Sequence, residues 1–216
     1  MNLKIVFLVI LGVVSVVYLV TLFFKQGLFQ SILKGCLVPL ILAVYIFGTK
    51  EILLFVVLGL ILGWIGDVLL LKGSNPLFFK LGLASFLLGH ICYIIAMYGF
   101  SVPFHITALV ISIAAAACYG LFLFKILRPT AEMRIAIIAY EITIFSMAIF
   151  ALQLFLAQGG LFGVFVFAGS ICFVVSDSSL AYDIFRKGPK YISFIIMFTY
   201  IAAQLLIALG FCTAGI

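Results

Sequence analysis

The sequence alternates long apolar runs with short connectors that contain charged residues, glycine and proline. At ~20 residues, a run of this kind crosses the hydrocarbon core of a bilayer as an α-helix. The pattern predicts eight helices, at residues 3–24, 31–48, 52–71, 77–98, 103–125, 133–157, 160–184 and 190–212. We therefore expect an all-α, polytopic membrane bundle that forms one domain over residues 1–216.

The connectors carry the usual signals of helix ends. Residues 72–76, Lys-Gly-Ser-Asn-Pro, combine turn residues with a Ser/Asn cap and a proline suited to the first helical turn. This connector predicts the start of the fourth helix. Residues 128–130, Arg-Pro-Thr, and 187–189, Lys-Gly-Pro, separate helices in the same way.

The composition is that of a protein embedded in a lipid bilayer. Hydrophobic residues make up 68% of the chain and charged residues 8%, and the mean hydropathy of +1.49 excludes a water-soluble core with a polar surface. Nucleic acid is not an expected partner. The five cysteines lie inside apolar runs without CxxC or metal-type spacing, so neither a disulfide framework nor a metal site is predicted. The first run is too long for a signal peptide and is expected to remain as a span.

The charged residues orient the predicted bundle. Twelve Lys and Arg oppose six acids, which gives a net charge of +6. One set of helix ends holds ten of the basic residues: Lys25, Lys34, Lys72, Lys80, Lys125, Arg128, Arg134, Arg186, Lys187 and Lys190. The opposite ends hold Lys4 and Lys50. The positive-inside rule then places the basic connectors in the cytoplasm and both termini on the other side. Short loops and the absence of an Asn-x-Ser/Thr sequon suit a bacterial inner membrane, with the endoplasmic reticulum as the alternative.

Polar side chains inside the apolar runs share one half of the membrane. From the basic ends they lie roughly 7 to 20 Å deep at 1.5 Å per residue. They are Asp67, His90, Tyr93, Glu141, Asp177, Tyr200 and Gln204, with Lys34 near the same rim. Such residues are costly in a bilayer and usually face the bundle interior. We expect a polar pocket that opens toward the cytoplasm, and helical spacing supports it because His90 and Tyr93 share a face, as do Tyr200 and Gln204.

The acids differ in their expected roles. Asp177 and Asp183 diverge by about 120° on their helix, whereas Ser176 shares a face with Asp183. Asp183 is expected to form a boundary pair with the basic residues that follow it. Burial in hydrocarbon disfavours the charged form of a carboxyl group, which suits acid/base chemistry, and Asp67 and Asp177 are the best-placed pair. The alternative is that each pairs with Lys34 or caps a kinked helix.

For two further polar residues, His90 and Glu141, the sequence allows two interpretations each. His90 is suited to relay a proton or bind a metal, and is equally suited to be a hydrogen-bonded packing residue. Glu141 is interpreted either as part of the acid cluster or as the structural ion-pair partner of Lys34, and the ion pair is favoured.

Five ordered motifs resemble the YhhN-type lysoplasmalogenase family over the second to eighth spans. They are Gly66-Asp67-Val68-Leu69-Leu70, Gly82-x3-Phe86-x3-His90-x2-Tyr93, Tyr140-x6-Met147-x3-Ala151, Phe173-Val174-Val175-Ser176-Asp177-Ser178-x-Leu180-Ala181-x3-Phe185 and Tyr200-x2-Ala203-Gln204-Leu205-Leu206. The chain departs from the family pattern at Lys34, which is followed by Gly35 rather than proline, and at Ile201, which replaces a tyrosine. Glu141 lies outside the pattern.

The resemblance implies hydrolysis of the vinyl ether bond of lysoplasmalogens to a fatty aldehyde and a glycerophospho-alcohol. Vinyl ether hydrolysis requires a proton donor and a group that stabilises the resulting cation, as in the paired carboxyls of glycosidases. Our mechanistic hypothesis places Asp67, Asp177 and His90 in the catalytic site: one Asp donates the proton, the other stabilises the cation and guides water, and His90 and Tyr93 orient them. It assigns substrate binding to Lys34, Tyr93, Tyr140, Ser176, Tyr200 and Gln204. The resemblance implies a lysophospholipid substrate and contact with membrane lipids, without a metal or cofactor.

Two other functions fit part of the pattern. A small lipid or ion-coupled transporter would also place acids, a histidine and a lysine in an inward pocket. An intramembrane aspartyl protease also pairs two membrane aspartates, but the Gly63-x-x-Gly66-Asp67 spacing differs by one residue from Gly-x-Gly-Asp.

Overall fold

The computed structural model of the protein describes residues 3–24, 27–73, 75–100 and 103–214. Within these ranges the regular backbone is entirely α-helical. The eight helices are α1 (Leu3–Thr21), α2 (Leu28–Gly48), α3 (Leu54–Leu70), α4 (Pro76–Tyr98), α5 (Ile106–Leu127), α6 (Ala131–Gln158), α7 (Gly160–Arg186) and α8 (Ile192–Thr213). The predicted all-α polytopic bundle is confirmed, and each predicted helix has its counterpart within a few residues.

Seven of the helices are long and apolar enough to cross a membrane, which makes this an integral membrane protein. The remaining helix, α3, is also apolar but has 17 residues. Its length of ~26 Å falls slightly short of the ~30 Å hydrocarbon core. Its last turn carries Asp67, so this polar residue lies near a helix end rather than at mid-membrane.

The helix ends follow the sequence signals. The Asn75 side chain accepts a hydrogen bond of 2.9 Å from the Leu77 amide, and Pro76 is the first residue of α4. Ser74, the other predicted cap residue, lies outside the described residues. Arg128 and Lys187 end α5 and α7 in the left-handed conformation, with φ of 47° and 55°. A proline or Gly-Pro follows each of them, so neither helix continues.

The connectors after α1, α3, α5 and α7 lie on one side of the bundle, which we call the basic side because ten lysine and arginine residues are predicted there. Nine of the ten are described, and the tenth, Lys25, is outside the described residues. Six helices, α2, α3, α4, α6, α7 and α8, form the centre of the bundle. The peripheral helices α1 and α5 bury two residues each. Most of their exposed positions are apolar, as a lipid-facing surface requires; Thr107 and Lys125, near the two ends of α5, are exceptions.

The tightest neighbours in the bundle are α7 and α8. Glycines remove side chains at their contact: a Cβ on Gly169 would lie 2.8 Å from the Ile207 side chain, and one on Gly210 would lie 2.7 Å from Val166. Small residues allow membrane helices to approach closely. This packing holds the helix that carries Asp177 against the helix that carries Tyr200 and Gln204.

Candidate active site

The predicted site residues form two neighbouring groups, the first around Asp67. The Asp67 side chain is 4% exposed, and its Oδ1 lies 3.2 Å from Nζ of Lys34, whose side chain is 15% exposed. The Tyr200 hydroxyl lies next to the same carboxylate. Oδ2 of Asp67 is buried without a hydrogen-bond partner among the described residues. A buried carboxylate with one cationic partner is therefore the centre of this group.

Hydrogen bonds extend this group from α3 to α4 and α8. Tyr93 donates a hydrogen bond of 2.5 Å to Oε1 of Gln204. Nε2 of Gln204 donates one of 3.3 Å to the Tyr200 hydroxyl. All three side chains are buried, so the two helices are joined by polar contacts inside the apolar bundle. Together with Lys34 and Asp67 they form what we call the Asp67 network.

Glycines on one face of α3 make room for this network. A Cβ on Gly63 would lie 2.5 Å from Nε2 of Gln204. A Cβ on Gly59 would lie 2.6 Å from the Tyr93 ring. A side-chain Cβ does not approach a non-bonded heavy atom this closely. The aromatic and amide side chains of α4 and α8 therefore occupy the space that side chains on α3 would fill.

Lys34 is held in place through the backbone of α2. The indole nitrogen of Trp64, on α3, donates a hydrogen bond of 2.9 Å to the carbonyl of Gly35. This bond ties α2 to α3 one residue from Lys34. Tyr18 of α1 is buried and lies within electrostatic range of Asp67. The sequence interpretation missed Tyr18 and Trp64, although a lone Trp three residues before an intramembrane Asp was a usable signal.

The second group surrounds Asp177. Tyr140, on α6, donates a hydrogen bond of 2.6 Å to Oδ2 of Asp177. Nε2 of His90, on α4, lies 3.8 Å from the same oxygen. The buried His90 ring packs edge-on against Tyr140 at 5.6 Å and Phe173 at 4.8 Å. The 3.8 Å between Nε2 of His90 and Oδ2 of Asp177 exceeds hydrogen-bonding range. His90 is therefore a neighbour of the carboxylate, and aromatic packing fixes its ring.

Aromatic rings separate the two groups. Tyr200 packs edge-on against Phe86 and Phe173, with ring centroids 5.9 Å apart in both cases. The carboxylates of Asp67 and Asp177 remain close enough to interact electrostatically. Each carboxylate nevertheless has its own partners, Lys34 for Asp67 and Tyr140 for Asp177.

An apolar cleft opens beside Asp177 on the basic half of the bundle. Residues of α3 to α7 line it: Leu70, Phe79, Leu83, Phe86, Leu123, Met133, Ile137, Tyr140, Glu141, Ile144, Phe145, Asp177, Ser178, Leu180, Ala181, Ile184 and Phe185. Of the predicted site residues, Tyr140 and Asp177 lie on this wall, whereas the Asp67 network and His90 lie behind it. The expected pocket is thus mostly apolar, with polar groups confined to one part of its wall.

Two predictions about acids are wrong. The first concerned Glu141. Lys34 pairs with Asp67, so Glu141 is not its ion-pair partner. Glu141 lines the cleft instead, and its Oε1 is buried and unpartnered in the described part of the chain.

The second concerned Asp183. Its side chain accepts a hydrogen bond of 3.0 Å from the Gly188 amide rather than pairing with the basic residues nearby. Nε of Arg186 donates to the carbonyl of Ile126. The left-handed turn after α7 brings the Gly188 amide to Asp183.

Ser176 takes part in helix packing. Its hydroxyl is buried and donates a hydrogen bond of 3.1 Å to the carbonyl of Ile196 on α8. Over the described ranges, no three His, Cys, Asp or Glu side chains converge as metal ligands.

Comparison with known proteins identifies the family. Residues 28–211 match the YhhN family. A human (Homo sapiens) relative named lysoplasmalogenase TMEM86B is 34% identical over 152 residues, which are 70% of this chain and 61% of the relative. A pig (Sus scrofa) relative of the same name is 32% identical over 135 residues, which are 62% of this chain and 54% of the relative. The chain therefore spans less than two thirds of either relative, and no solved structure matches it. Because the family match extends from α2 into α8, the resemblance found in the motifs is confirmed and the chain belongs to the YhhN family.

Proposed function

We propose that the protein is a lysoplasmalogenase, an ether hydrolase that cleaves the vinyl ether bond of lysoplasmalogens. The products are a fatty aldehyde and a glycerophospho-alcohol such as glycerophosphoethanolamine or glycerophosphocholine. The observation that carries the proposal is Asp177, a carboxyl group on the wall of a cleft otherwise lined mostly by hydrocarbon. The names of the human and pig relatives support the same activity.

The cleft suits the alkenyl chain of the substrate. Its walls are built from Leu, Ile, Phe and Met side chains, which favour an apolar chain over water. The head group then lies toward the basic side, where lysine and arginine residues attract phosphate. Lys72 is one such residue, with Nζ 5.5 Å from the Phe78 ring centroid next to cleft residue Phe79.

The proposed reaction begins with a proton transfer from Asp177 to the outer alkene carbon of the vinyl ether. This forms an oxocarbenium ion, which the resulting carboxylate stabilises. Water adds to the carbon bonded to oxygen and returns a proton to the carboxylate. The hemiacetal then breaks its C–O bond to the glycerol: its hydroxyl loses a proton and becomes the aldehyde carbonyl, and the glycerol oxygen gains a proton. Atoms and charges balance without a cofactor.

The other predicted residues act through Asp177 in this proposal. Tyr140 orients the carboxylate by its hydrogen bond, and His90 borders the same oxygen. Asp67 acts from behind the wall through its charge, which Lys34 fixes in place. Tyr93, Tyr200 and Gln204 hold Asp67 and the wall rather than contacting the chain, and Ser176 fixes α7 on α8.

The test is aldehyde release from purified protein supplied with a lysoplasmalogen. We expect the wild type to release aldehyde and the Asp177→Asn variant to do so more than ~100-fold more slowly, because a side-chain amide cannot serve as the general acid or base. The control is Asp183→Asn, since Asp183 lies off the cleft and should leave the rate unchanged. An active Asp177→Asn variant contradicts the mechanism. No aldehyde from the wild type, combined with substrate-dependent flux in liposomes, favours transport instead.

A further inference from the structure

Glu141 is a second carboxyl group on the cleft wall, and the proposed reaction does not use it. It follows Tyr140 on α6 and lines the same cleft as Asp177. Its Oε1 is buried and has no hydrogen-bond partner among the described residues. Oε2 faces α5, where a Cβ on Gly120 would lie 3.6 Å away.

Among the described acids, Glu141 is the one that combines an unpartnered buried oxygen with a place on the cleft wall. Asp67 also has an unpartnered oxygen, Oδ2, but it pairs with Lys34 through Oδ1 and does not line the cleft. Asp177 accepts from Tyr140, and Asp183 accepts from the Gly188 amide. Glu51 is exposed in the connector between α2 and α3, and Glu132 is exposed in the first turn of α6. Buried polar groups nearly always have a hydrogen-bond partner. Glu141 is thus an acceptor that a ligand in the cleft can satisfy.

Glu141 and Asp177 lie at the same depth in the bundle. Glu141 is ~15 Å along α6 from its start, and Asp177 is ~14 Å from the end of α7, at 1.5 Å per residue. Both of these helix ends lie on the basic side. A substrate whose vinyl ether reaches Asp177 therefore places atoms only a few bonds away at the level of Glu141.

We infer that Glu141 accepts a hydrogen bond from the free sn-2 hydroxyl of a lysophospholipid. This inference rests on the proposed function. The hydroxyl is on the carbon next to the one that bears the vinyl ether oxygen, so it stays at the depth of Asp177, whereas the phosphate and amine extend toward the basic side. A phospholipid acylated at sn-2 has no O–H donor there and leaves the acceptor unpaired.

Glu141 thereby selects lysolipids over doubly substituted lipids, without taking part in bond cleavage. A site that binds a substrate hydroxyl rejects analogues that lack it, because its buried polar group is then unsatisfied.

The test compares two substrates in four proteins. The substrates are an alkenyl lysophosphoethanolamine and its 2-deoxy analogue, and the proteins are wild type, Glu141→Met, Glu141→Gln and the exposed control Glu132→Met. We expect the wild type and the control to prefer the hydroxyl substrate by about 10-fold in kcat/KM. Glu141→Met should turn over both substrates equally, and Glu141→Gln should retain most of the preference because its amide oxygen still accepts.

Two results would overturn the inference. One is an undiminished preference in Glu141→Met, and the other is an equal loss of rate on both substrates in Glu141→Gln, which would indicate a role in the reaction or in folding. If the wild type releases no aldehyde at all, the proposed function fails. The role of Glu141 is then tested by measuring binding of a saturated 1-alkyl lysophosphoethanolamine and of its 2-deoxy analogue. Equal affinities for the two ligands in the wild type refute the inference. A preference of the wild type for the hydroxyl ligand that is lost in Glu141→Met supports it.

Discussion

At the scale of single residues, the proposed reaction depends on a few polar side chains whose surroundings offer them few other partners. Tyr140 illustrates this: its hydroxyl makes a 2.6 Å hydrogen bond to Asp177 on the wall of an apolar cleft. Such a bond orients a carboxyl group and matters more in a low-dielectric interior than in water. Its removal should change the reaction rather than the fold.

We expect Tyr140→Phe to lower kcat for aldehyde release by about 10-fold, because Asp177 loses the donor that orients it. The measurement is initial rate at saturating lysoplasmalogen, with thermal unfolding in detergent as a check of folding. Tyr182→Phe is the matched control, because Tyr182 is exposed on α7. A Tyr140→Phe enzyme with wild-type kcat would show that the hydrogen bond does not orient the reacting group.

The Lys34–Asp67 pair allows a second residue-scale prediction, on stability. Lys34→Met leaves the buried Asp67 carboxylate without its cation, which should cost roughly 3 kcal/mol of unfolding free energy. Asp67→Asn in the same chain removes the unpaired charge and should recover much of that loss. Denaturation of the two variants in detergent measures the difference. A double variant less stable than Lys34→Met alone would contradict the buried pair.

At the scale of helices, sequence predicts more of this protein than it does of the site. Apolar runs and proline or glycine connectors located all eight helices, because a bilayer demands long helices and leaves short loops. Helical spacing placed Tyr93 and Tyr200 toward the interior. It could not decide between Asp67, Asp177 and Glu141 as the partner of Lys34. The choice of Asp67 depends on how α2, α3 and α6 pack, and no spacing within one helix encodes this.

The glycine face of α3 gives the element-scale prediction. Gly63→Ala would place a methyl group in the space held by the Gln204 amide, which would have to move and weaken its bond to Tyr93. We expect a loss of roughly 1–3 kcal/mol in stability, as for overpacked cores, together with lower activity. Thermal unfolding and aldehyde release measure both. Gly12→Ala on α1 is the control because its added Cβ meets nothing within 4 Å, and equal effects of the two substitutions would refute the packing argument.

At the scale of the whole molecule, charge asymmetry and site depth are linked. Asp177 and Glu141 lie in the same half of the bundle as most of the lysine and arginine residues. If the basic side faces the cytoplasm, the proposed reaction takes lysolipid from the cytoplasmic leaflet and releases the water-soluble product into the cytoplasm. For the proposed function, the orientation of the bundle therefore decides which leaflet supplies the substrate.

We predict that the basic side is cytoplasmic, because translocating lysine and arginine across the membrane is disfavoured. The measurement is labelling of single cysteines with a membrane-impermeant maleimide, in a chain whose five native cysteines are replaced and which is expressed in a bacterial inner membrane. Lys50→Cys, on the side opposite the basic connectors, should be labelled once the outer membrane is opened. Lys187→Cys should be labelled only after the inner membrane is permeabilised. The reverse pattern would place the cleft on the outer face and assign the substrate to the outer leaflet.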